Sequence, residues 1–190
     1  MVNHIFVGID LGDKNSIARI GVNRESSHRL SFLNSRAGRA RLFVGLEKRA
    51  AELGGAEIVM AYEASSCGFI LADEAKQRRI RCWVLSPTKR EKSVEQRKHK
   101  NDDRDAEDIL EKLRAHVLAG NRLPTVWVPD PQIRDDRELI RTRIELAEKQ
   151  TQLKAQIQML LKRRGLEKPP GLGSGWTVKF RQWLTAVGQC

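Results

Sequence analysis

The stretch Ile5-Phe6-Val7-Gly8-Ile9-Asp10 is a short apolar run that ends on a carboxylate. A run of this length and composition predicts a central strand of a sheet. An acid at the end of such a strand must face a ligand, a cation or a polar partner, because an unpaired buried charge is costly. Asp10 is therefore the first candidate for a functional residue.

The segments that follow predict four more strands and two helices. Residues 16–22 alternate apolar and polar side chains as a half-buried strand does, and a turn at 23–27 lets the chain return. Apolar residues at helical spacing predict a helix over 38–53. The predicted strands are 5–9, 16–22, 28–33, 57–62 and 81–85, and the predicted helices are 38–53 and 69–78. This order predicts an α/β fold, a mixed five-stranded sheet flanked by helices.

Composition narrows the class of protein. The 190 residues carry 35 Lys and Arg against 24 Asp and Glu, a net charge of +11. This excess favours a polyanionic partner, above all nucleic acid. No apolar run reaches the roughly 18 residues of a membrane span, and no basic region precedes an apolar one at the N-terminus. We therefore expect a cytoplasmic protein that does not contact a membrane.

Neither a disulfide framework nor a zinc site is indicated. Cys67, Cys82 and Cys190 are odd in number and lack C-x-x-C spacing, which fits a reducing compartment. The four histidines show no ligand-like spacing among themselves.

The positive charge is concentrated in one segment. Residues 76–100 contain ten Lys and Arg but only two acids, a local net charge of +8. An acidic helix start follows directly, in which Asp102 and Asp105 are spaced i, i+3 and share one face. We predict that the basic segment holds phosphates, although a solvated charged loop would have the same composition. The residues predicted to contact phosphates are Lys89, Arg90, Lys92, Arg97, Lys98 and Lys100.

Four carboxylates lie where regular structure is predicted to begin or end, namely Asp10, Glu63, Asp102 and Asp105. Four such groups at one point would repel each other and raise one another's pKa unless cations were present. Oxygen ligands suit two Mg²⁺ or Mn²⁺ ions about 3.5–4 Å apart, an arrangement that supports in-line phosphoryl transfer. For Asp102 and Asp105, helix capping explains the same positions equally well.

Three motifs resemble a known family. Residues 6–12 (FVGIDLG), 62–65 (YEAS) and 100–106 (KNDDRDA) are similar to the three acidic motifs of the DEDD insertion-sequence transposases. This group includes the Piv/MooV DNA invertases and the bridge-RNA-guided recombinases. The resemblance covers about residues 4–165, and the K-x-D-x-x-D-A motif is its most specific part.

This resemblance implies both a fold and an activity. The fold would be ribonuclease-H-like (RuvC-like), and the catalytic tetrad holding Mg²⁺ would be Asp10, Glu63, Asp102 and Asp105. The substrate would be DNA, with a structured guide RNA as a further partner, in a prokaryotic cytoplasm beside the nucleoid. Arg104, Arg141 and Arg143 would join the basic segment in contacting nucleic acid.

The chain departs from that family in one respect. Its members are longer and carry a second domain with a catalytic serine that links covalently to DNA. No serine here lies in a nucleophile motif such as G-x-S-x-G, so we assign that role to no residue. We therefore expect a RuvC-like catalytic domain at 1–123, a helical arm at 124–168, and a linker with the start of a missing or truncated C-terminal domain at 169–190.

A long polar helix is predicted over 134–164, within the arm. Its leucines recur every seven residues, as in a coiled-coil-like seam, at Leu139, Leu146, Leu153 and Leu160. Arg143 and Gln150 lie at intervening seam positions and argue against a strong autonomous dimer. We expect the helix to pack on a partner segment or to form a weak homo-oligomer.

Two other functions remain open. Residues 8–16 also resemble the first phosphate loop of the actin/Hsp70/sugar-kinase ATPases. Such enzymes need a second Gly-rich phosphate loop, and Gly54-Gly55, which precedes a strand, is a poor candidate for it. The second alternative is a non-catalytic nucleic-acid-binding or assembly module, in which the acids cap helices and the basic segment binds.

Overall fold

A computed structural model describes residues 3–87, 102–173 and 175–189, and for Asp102 it describes the backbone alone. These residues form five strands and five helices. The strands are β1 (His4–Asp10), β2 (Asn15–Val22), β3 (His28–Leu33), β4 (Glu57–Glu63) and β5 (Arg81–Leu85). The helices are α1 (Arg36–Glu52), α2 (Ile70–Gln77), α3 (Asp102–Ala119), α4 (Pro131–Arg163) and α5 (Val178–Val187).

All five strands join one mixed sheet in the order β3-β2-β1-β4-β5. The first three strands form an antiparallel meander, as predicted, and β4 and β5 run parallel to β1. The central strand is the apolar run around Gly8, because it pairs with β2 on one side and β4 on the other. The α/β prediction is confirmed, and the architecture is that of a ribonuclease-H-like fold.

The two faces of the sheet carry separate apolar clusters. Ile5, Val7 and Ile9 of β1 point to the face covered by α1 and α2. Phe6 points to the other face, where Ile109, Leu110 and Leu113 of α3 cover it. Strand alternation explains the division, since successive side chains leave a strand on opposite sides.

Gly8 sets the distance between β1 and α3. A Cβ at this position would lie 2.4 Å from the carbonyl oxygen of Ala106 and 2.4 Å from the amide nitrogen of Leu110. No side chain fits there, so the helix backbone rests directly on the strand backbone.

Two helices begin earlier than the apolar spacing predicts. The Ser35 hydroxyl accepts a hydrogen bond from the Gly38 amide at 3.1 Å, so α1 starts at Arg36 rather than at residue 38. Helix α4 starts at Pro131 rather than at residue 134, because proline suits a first helical turn, in which no amide donor is required. A capping hydroxyl in α1 and a first-turn proline in α4, rather than apolar periodicity, determine these two bounds.

After α3, residues 121–128 return along the outer edge of β5. Leu85 forms an antiparallel bridge with Thr125. The Val126 amide donates to the Val84 carbonyl at 2.9 Å, and the Ser86 amide donates to the Pro124 carbonyl at 2.9 Å. This segment satisfies backbone groups of β5 that would otherwise face solvent.

The chain divides into two compact units, residues 1–128 and 129–190. The first contains the sheet, and the second contains α4 and α5. Among the described side chains of α4, none is buried. Its heptad leucines are therefore exposed, with 72% of Leu139 and 53% of Leu160 accessible to solvent. Within the ranges that the structure describes, no helix is long and apolar enough to cross a membrane.

Candidate active site at the ends of β1 and β4

Two of the predicted site residues end neighbouring parallel strands. Asp10 is the last residue of β1 and Glu63 is the last residue of β4. Ile9 pairs with Tyr62, so the same register carried one residue further sets Asp10 beside Glu63. Both lie on the α3 face of the sheet, because Ile9 and Tyr62 belong to the cluster on the opposite face. Both carboxylates are half-buried and have polar partners.

Helix α3 begins near these strand ends. Ala106, in its second turn, lies over Gly8, whereas Arg114 lies over the ring of Phe6 at 5.9 Å. The helix therefore runs antiparallel to β1, and its first turn is directed toward Asp10. Asp105 is half-buried, one position before the fully buried Ala106. Asp102 is the first residue of the helix, and its side chain lies outside the described part of the chain.

A cluster of ion pairs, here called the Arg19 clamp, holds the start of α3 against the sheet. The guanidinium of Arg19, on β2, donates to Asp103 Oδ2 at 2.6 Å, and its Nε lies 3.2 Å from Glu107 Oε2. Arg29 on β3 reaches the other oxygen of Asp103 at 3.5 Å, and the Ser27 hydroxyl donates to Glu107 at 2.6 Å. The acids of the clamp, Asp103 and Glu107, thus contact residues of β2, of β3 and of the turn between them.

The turn after Asp10 is anchored from the other face of the sheet, which α1 and α2 cover. The Asn34 amide group donates to the Gly12 carbonyl at 2.8 Å, and its Oδ1 accepts from Arg39 at 3.0 Å. Arg39 is buried and makes a bidentate contact with both oxygens of Glu74, at 2.9 and 3.0 Å. A bidentate guanidinium–carboxylate pair fixes orientation as well as distance. Helices α1 and α2 thus fix the loop that carries the chain out of the site.

Cys67 and Asp13 lie in the two loops that follow β4 and β1. The Cys67 thiol lies 3.4 Å from Asp13 Oδ1 and 3.7 Å from the Leu11 carbonyl. Among the described residues, the hydrogen-bond partners of this thiol are a carboxylate and a backbone carbonyl, neither of which favours a thiolate. The thiol of Cys82, on β5, is a poor nucleophile, because burial raises its pKa to about 12.

The donor set suits a hard divalent cation. Mg²⁺ and Mn²⁺ prefer oxygen ligands, and Asp10, Glu63 and Asp105 supply carboxylate oxygens from the strand ends and the first turn of α3. Among the described side chains, no three histidines, cysteines or acids are grouped closely enough to hold a metal ion. Asp10, Glu63 and Asp105 are all described, so the structure does not group these three carboxylates, and the side chain of Asp102 lies outside the described residues.

The residues predicted to bind nucleic acid fall into three places. Lys89, Arg90, Lys92, Arg97, Lys98 and Lys100 lie outside the described residues. Arg104 is exposed on the first turn of α3. Arg141 and Arg143 are exposed on α4, in the second unit, where Arg141 lies 3.8 Å from Glu138.

Sequence reasoning missed the residues that support the site, above all Arg19, Asn34 and Arg39. Arg19 carried a detectable sign, because it is a charge at an inner position of a strand that alternates apolar and polar residues. Its partner Asp103 is 84 residues away and could be found only once α3 was known to cross β2. Asn34 and Arg39 lie in a turn and on a helix, where their residue types are unremarkable.

Comparison with known proteins agrees with the motifs. A family model of DEDD transposases of the IS110 type, described as transposase, matches residues 7–164. The matched range includes Asp10, Glu63, Asp102 and Asp105 together with the whole of α4. A comparison with curated proteins found no significant match.

Proposed function

The chain belongs to the IS110-type DEDD transposase family, and from this premise we propose that its first unit is a metal-dependent site for cleaving or transferring DNA strands. The observation that carries the proposal is the adjacency of Asp10 and Glu63 on the sheet face that α3 covers. The first turn of α3, with Asp102 and Asp105, is directed toward the same ends of β1 and β4. The proposal requires that these four carboxylates, from three separate elements, converge on the metal ions when these bind.

In this proposal Asp10, Glu63, Asp102 and Asp105 hold two Mg²⁺ or Mn²⁺ ions. Bound in pairs, such ions lower the pKa of an attacking water or hydroxyl and neutralise charge on the leaving oxygen. The contribution of the protein is rigid placement: β1 and β4 fix two carboxylates by their register, and the Arg19 clamp fixes the helix that carries the other two. Placement of this kind reduces the reorganisation that the reaction requires.

Nucleic acid would approach over the start of α3. Arg104 is exposed there, and the basic segment that includes Lys89 to Lys100 directly precedes it in sequence. Each phosphate that these residues neutralise would steepen the salt dependence of binding.

We also propose a structured guide RNA as partner and a homo-oligomer formed through α4, with Arg141 and Arg143 available to nucleic acid. We further propose that domain boundaries lie between residues 123 and 124 and between residues 168 and 169.

Calorimetric titration with Mn²⁺ tests the metal site. We expect the wild-type chain to bind Mn²⁺ and the Asp10→Asn and Asp105→Asn variants to bind it at least about tenfold more weakly, as expected for a lost ligand. Asp73→Asn is the matched control, because it removes a half-buried carboxylate from α2, on the opposite face of the sheet. Circular dichroism of each variant verifies that the fold is retained.

A nicking assay on supercoiled plasmid in Mn²⁺ extends the test to chemistry. Nicking by the wild type and the Asp73→Asn control, but not by Asp10→Asn, is the expected pattern. Equal Mn²⁺ affinity in wild type and Asp10→Asn, with and without DNA, would refute the metal site.

One observation favours the alternative of a non-catalytic binding module. Asp103 and Glu107 of α3 are paired with Arg19, so some acids of this motif have a structural role. In that case DNA binding would persist in EDTA, and neither Asp10→Asn nor Asp105→Asn would change any property except stability. The Mn²⁺ titration separates the two functions.

A further inference from the structure

The second half of the second unit has a strongly biased charge. Residues 149–189 contain eight Lys and Arg and a single acid, Glu167. By contrast, residues 131–148 contain four arginines and five acids. The basic residues of the later segment are Lys149, Lys154, Lys162, Arg163, Arg164, Lys168, Lys179 and Arg181. Such local bias indicates a surface for a polyanion more specifically than the total charge does.

Three aromatic rings lie within this basic segment. The rings of Trp176 and Phe180 meet edge to face at 5.1 Å, and those of Phe180 and Trp183 lie 5.5 Å apart. The Thr177 hydroxyl caps α5 by accepting from the Phe180 amide at 3.2 Å, which fixes where the helix begins relative to Trp176. Phe180 is buried, whereas both tryptophans are only half-buried. The cluster, here called the Trp176 cluster, therefore offers ring surface to a ligand.

Lysine ammonium groups lie beside these rings. Lys154 Nζ is 6.0 Å from the centre of the Trp176 ring, and Lys168 Nζ is 5.8 Å from the centre of the Phe180 ring. An open cavity of about 320 Å³ adjoins them. Its lining combines polar, apolar and aromatic side chains with one carboxylate, namely Gln158, Leu161, Lys162, Leu166, Glu167, Lys168, Trp176 and Phe180. The volume admits a nucleobase, and the two lysines of the lining outnumber its single acid, so the cavity has a net positive charge.

We propose that the Trp176 cluster binds single-stranded DNA, one base stacking against Trp176 while Lys154, Lys162 and Lys168 contact the flanking phosphates. Aromatic rings set in a basic groove are the means by which proteins hold single strands without reading their sequence. A duplex fits less well, since its bases are stacked on each other and present no free face to a ring. The choice of DNA over RNA rests on the proposed function, whereas the surface itself is independent of the carboxylate site.

Fluorescence anisotropy of a labelled 12-nucleotide oligothymidine, titrated with the full chain in EDTA, tests this assignment. Because stacking on one ring contributes strongly to single-strand affinity, Trp176→Leu should weaken binding by about tenfold. Trp127→Leu is the matched control, because Trp127 is 67% exposed and belongs to the first unit. A labelled hairpin duplex should show no such loss with Trp176→Leu.

A second variant keeps the test valid if Trp176→Leu disturbs α5. The double substitution Lys154→Gln and Lys168→Gln keeps all three aromatic residues and removes two cations, and glutamine retains an amide donor that can replace the hydrogen bond from Lys168 to the Gly173 carbonyl. It should lower the slope of log affinity against log salt by about 1.4, since each phosphate contact to a single strand contributes about 0.7.

Several results would overturn the proposal. Unchanged oligothymidine affinity in both variants would mean that the rings form a packing core and nothing more. Equal losses for the oligothymidine and the hairpin would remove the single-strand assignment, and tighter binding of oligouridine would replace DNA by RNA. Because EDTA is present throughout, none of these results bears on the Mn²⁺ site, and failure of that site leaves this assay unaffected.

Discussion

Helices α3 and α4 carry similar apolar patterns but occupy opposite environments. In α3 the residues Ala106, Ile109, Leu110 and Leu113 are fully buried against the sheet. In α4 the leucines recur with equal regularity, yet none of its described side chains is buried. Periodicity identifies the face that a helix would bury, but only the rest of the fold decides whether anything covers that face.

The difference has an energetic consequence. Most of the stability of a helix within a protein comes from tertiary packing rather than from intrinsic propensity. The position of α3 is therefore coupled to the integrity of the first unit, and with it the position of Asp102 and Asp105. Helix α4 has no such coupling through its described side chains, so its leucines are available for contacts with a partner.

The largest effect is expected for Leu110→Ala. Leu110 is fully buried between α3 and the sheet, so its truncation should lower the free energy of unfolding by about 2–5 kcal/mol. The matched control is Leu146→Ala on α4, where 60% of the side chain is exposed and the loss should be under about 0.5 kcal/mol. Urea denaturation of dilute protein measures both, and equal losses would contradict the contrast between the helices.

Gly8→Ala should have the next largest effect. The added Cβ would overlap backbone atoms of α3, so the helix must move, at a cost of about 1–3 kcal/mol. The matched control is Gly45→Ala, an exposed helical position with no atom within 4 Å of the new Cβ, which should stabilise by about 0.5–1 kcal/mol. Thermal denaturation of the two variants should therefore show shifts of opposite sign, and two shifts of one sign would argue against the close approach.

A smaller effect is expected from the Arg19 clamp. Arg19 and Asp103 are each less than a third exposed, so a double-mutant cycle with Arg19→Ala and Asp103→Ala should give a coupling of about 1 kcal/mol. The exposed pair Arg49–Glu52 is the control and should give about 0.3 kcal/mol. Coupling of the same size in both pairs would mean that the clamp does not fix α3.

The smallest effect concerns thiol reactivity. Burial raises the pKa of Cys82 to about 12, so at pH 8 hardly any of this thiol is ionised in the folded protein. In a Cys190→Ser background, iodoacetamide should therefore label Cys67 before Cys82, and mass spectrometry of the tryptic peptides measures the order. The raised pKa also predicts a loss of stability from about pH 9 toward pH 12, because the thiol ionises first in the unfolded chain. Labelling of Cys82 first would show that β5 opens more readily than the packed sheet allows.

The sequence predicted the strands well because each has a local pattern. The bounds of β3 and β5 were predicted to the residue, and those of β1, β2 and β4 within one residue at each end. Placement of Asp10 and Glu63 at neighbouring strand ends followed from the same patterns. The starts of α1 and α4 were missed by two and three residues, since Ser35 and Pro131 act through capping and backbone geometry.

The support of the candidate site could not be predicted in the same way. Arg19 meets Asp103 only because α3 crosses β2, and Asn34 reaches Gly12 only because β3 ends beside the start of β2, where Leu33 pairs with Asn15. Such contacts depend on tertiary topology rather than on local periodicity. The metal-binding role of the tetrad and the nucleic-acid role of the basic segment stay predictions.

The segment that returns along β5 also limits how copies of this protein can associate. By bonding to Val84 and Ser86, residues 124–126 occupy backbone groups that an incoming strand from another copy would need. This segment thereby blocks the addition of a further strand beside β5, which is the first step of many aggregation routes. The edge strand β5, which lies next to β4 and its terminal residue Glu63, is therefore protected from pairing with a strand of another copy.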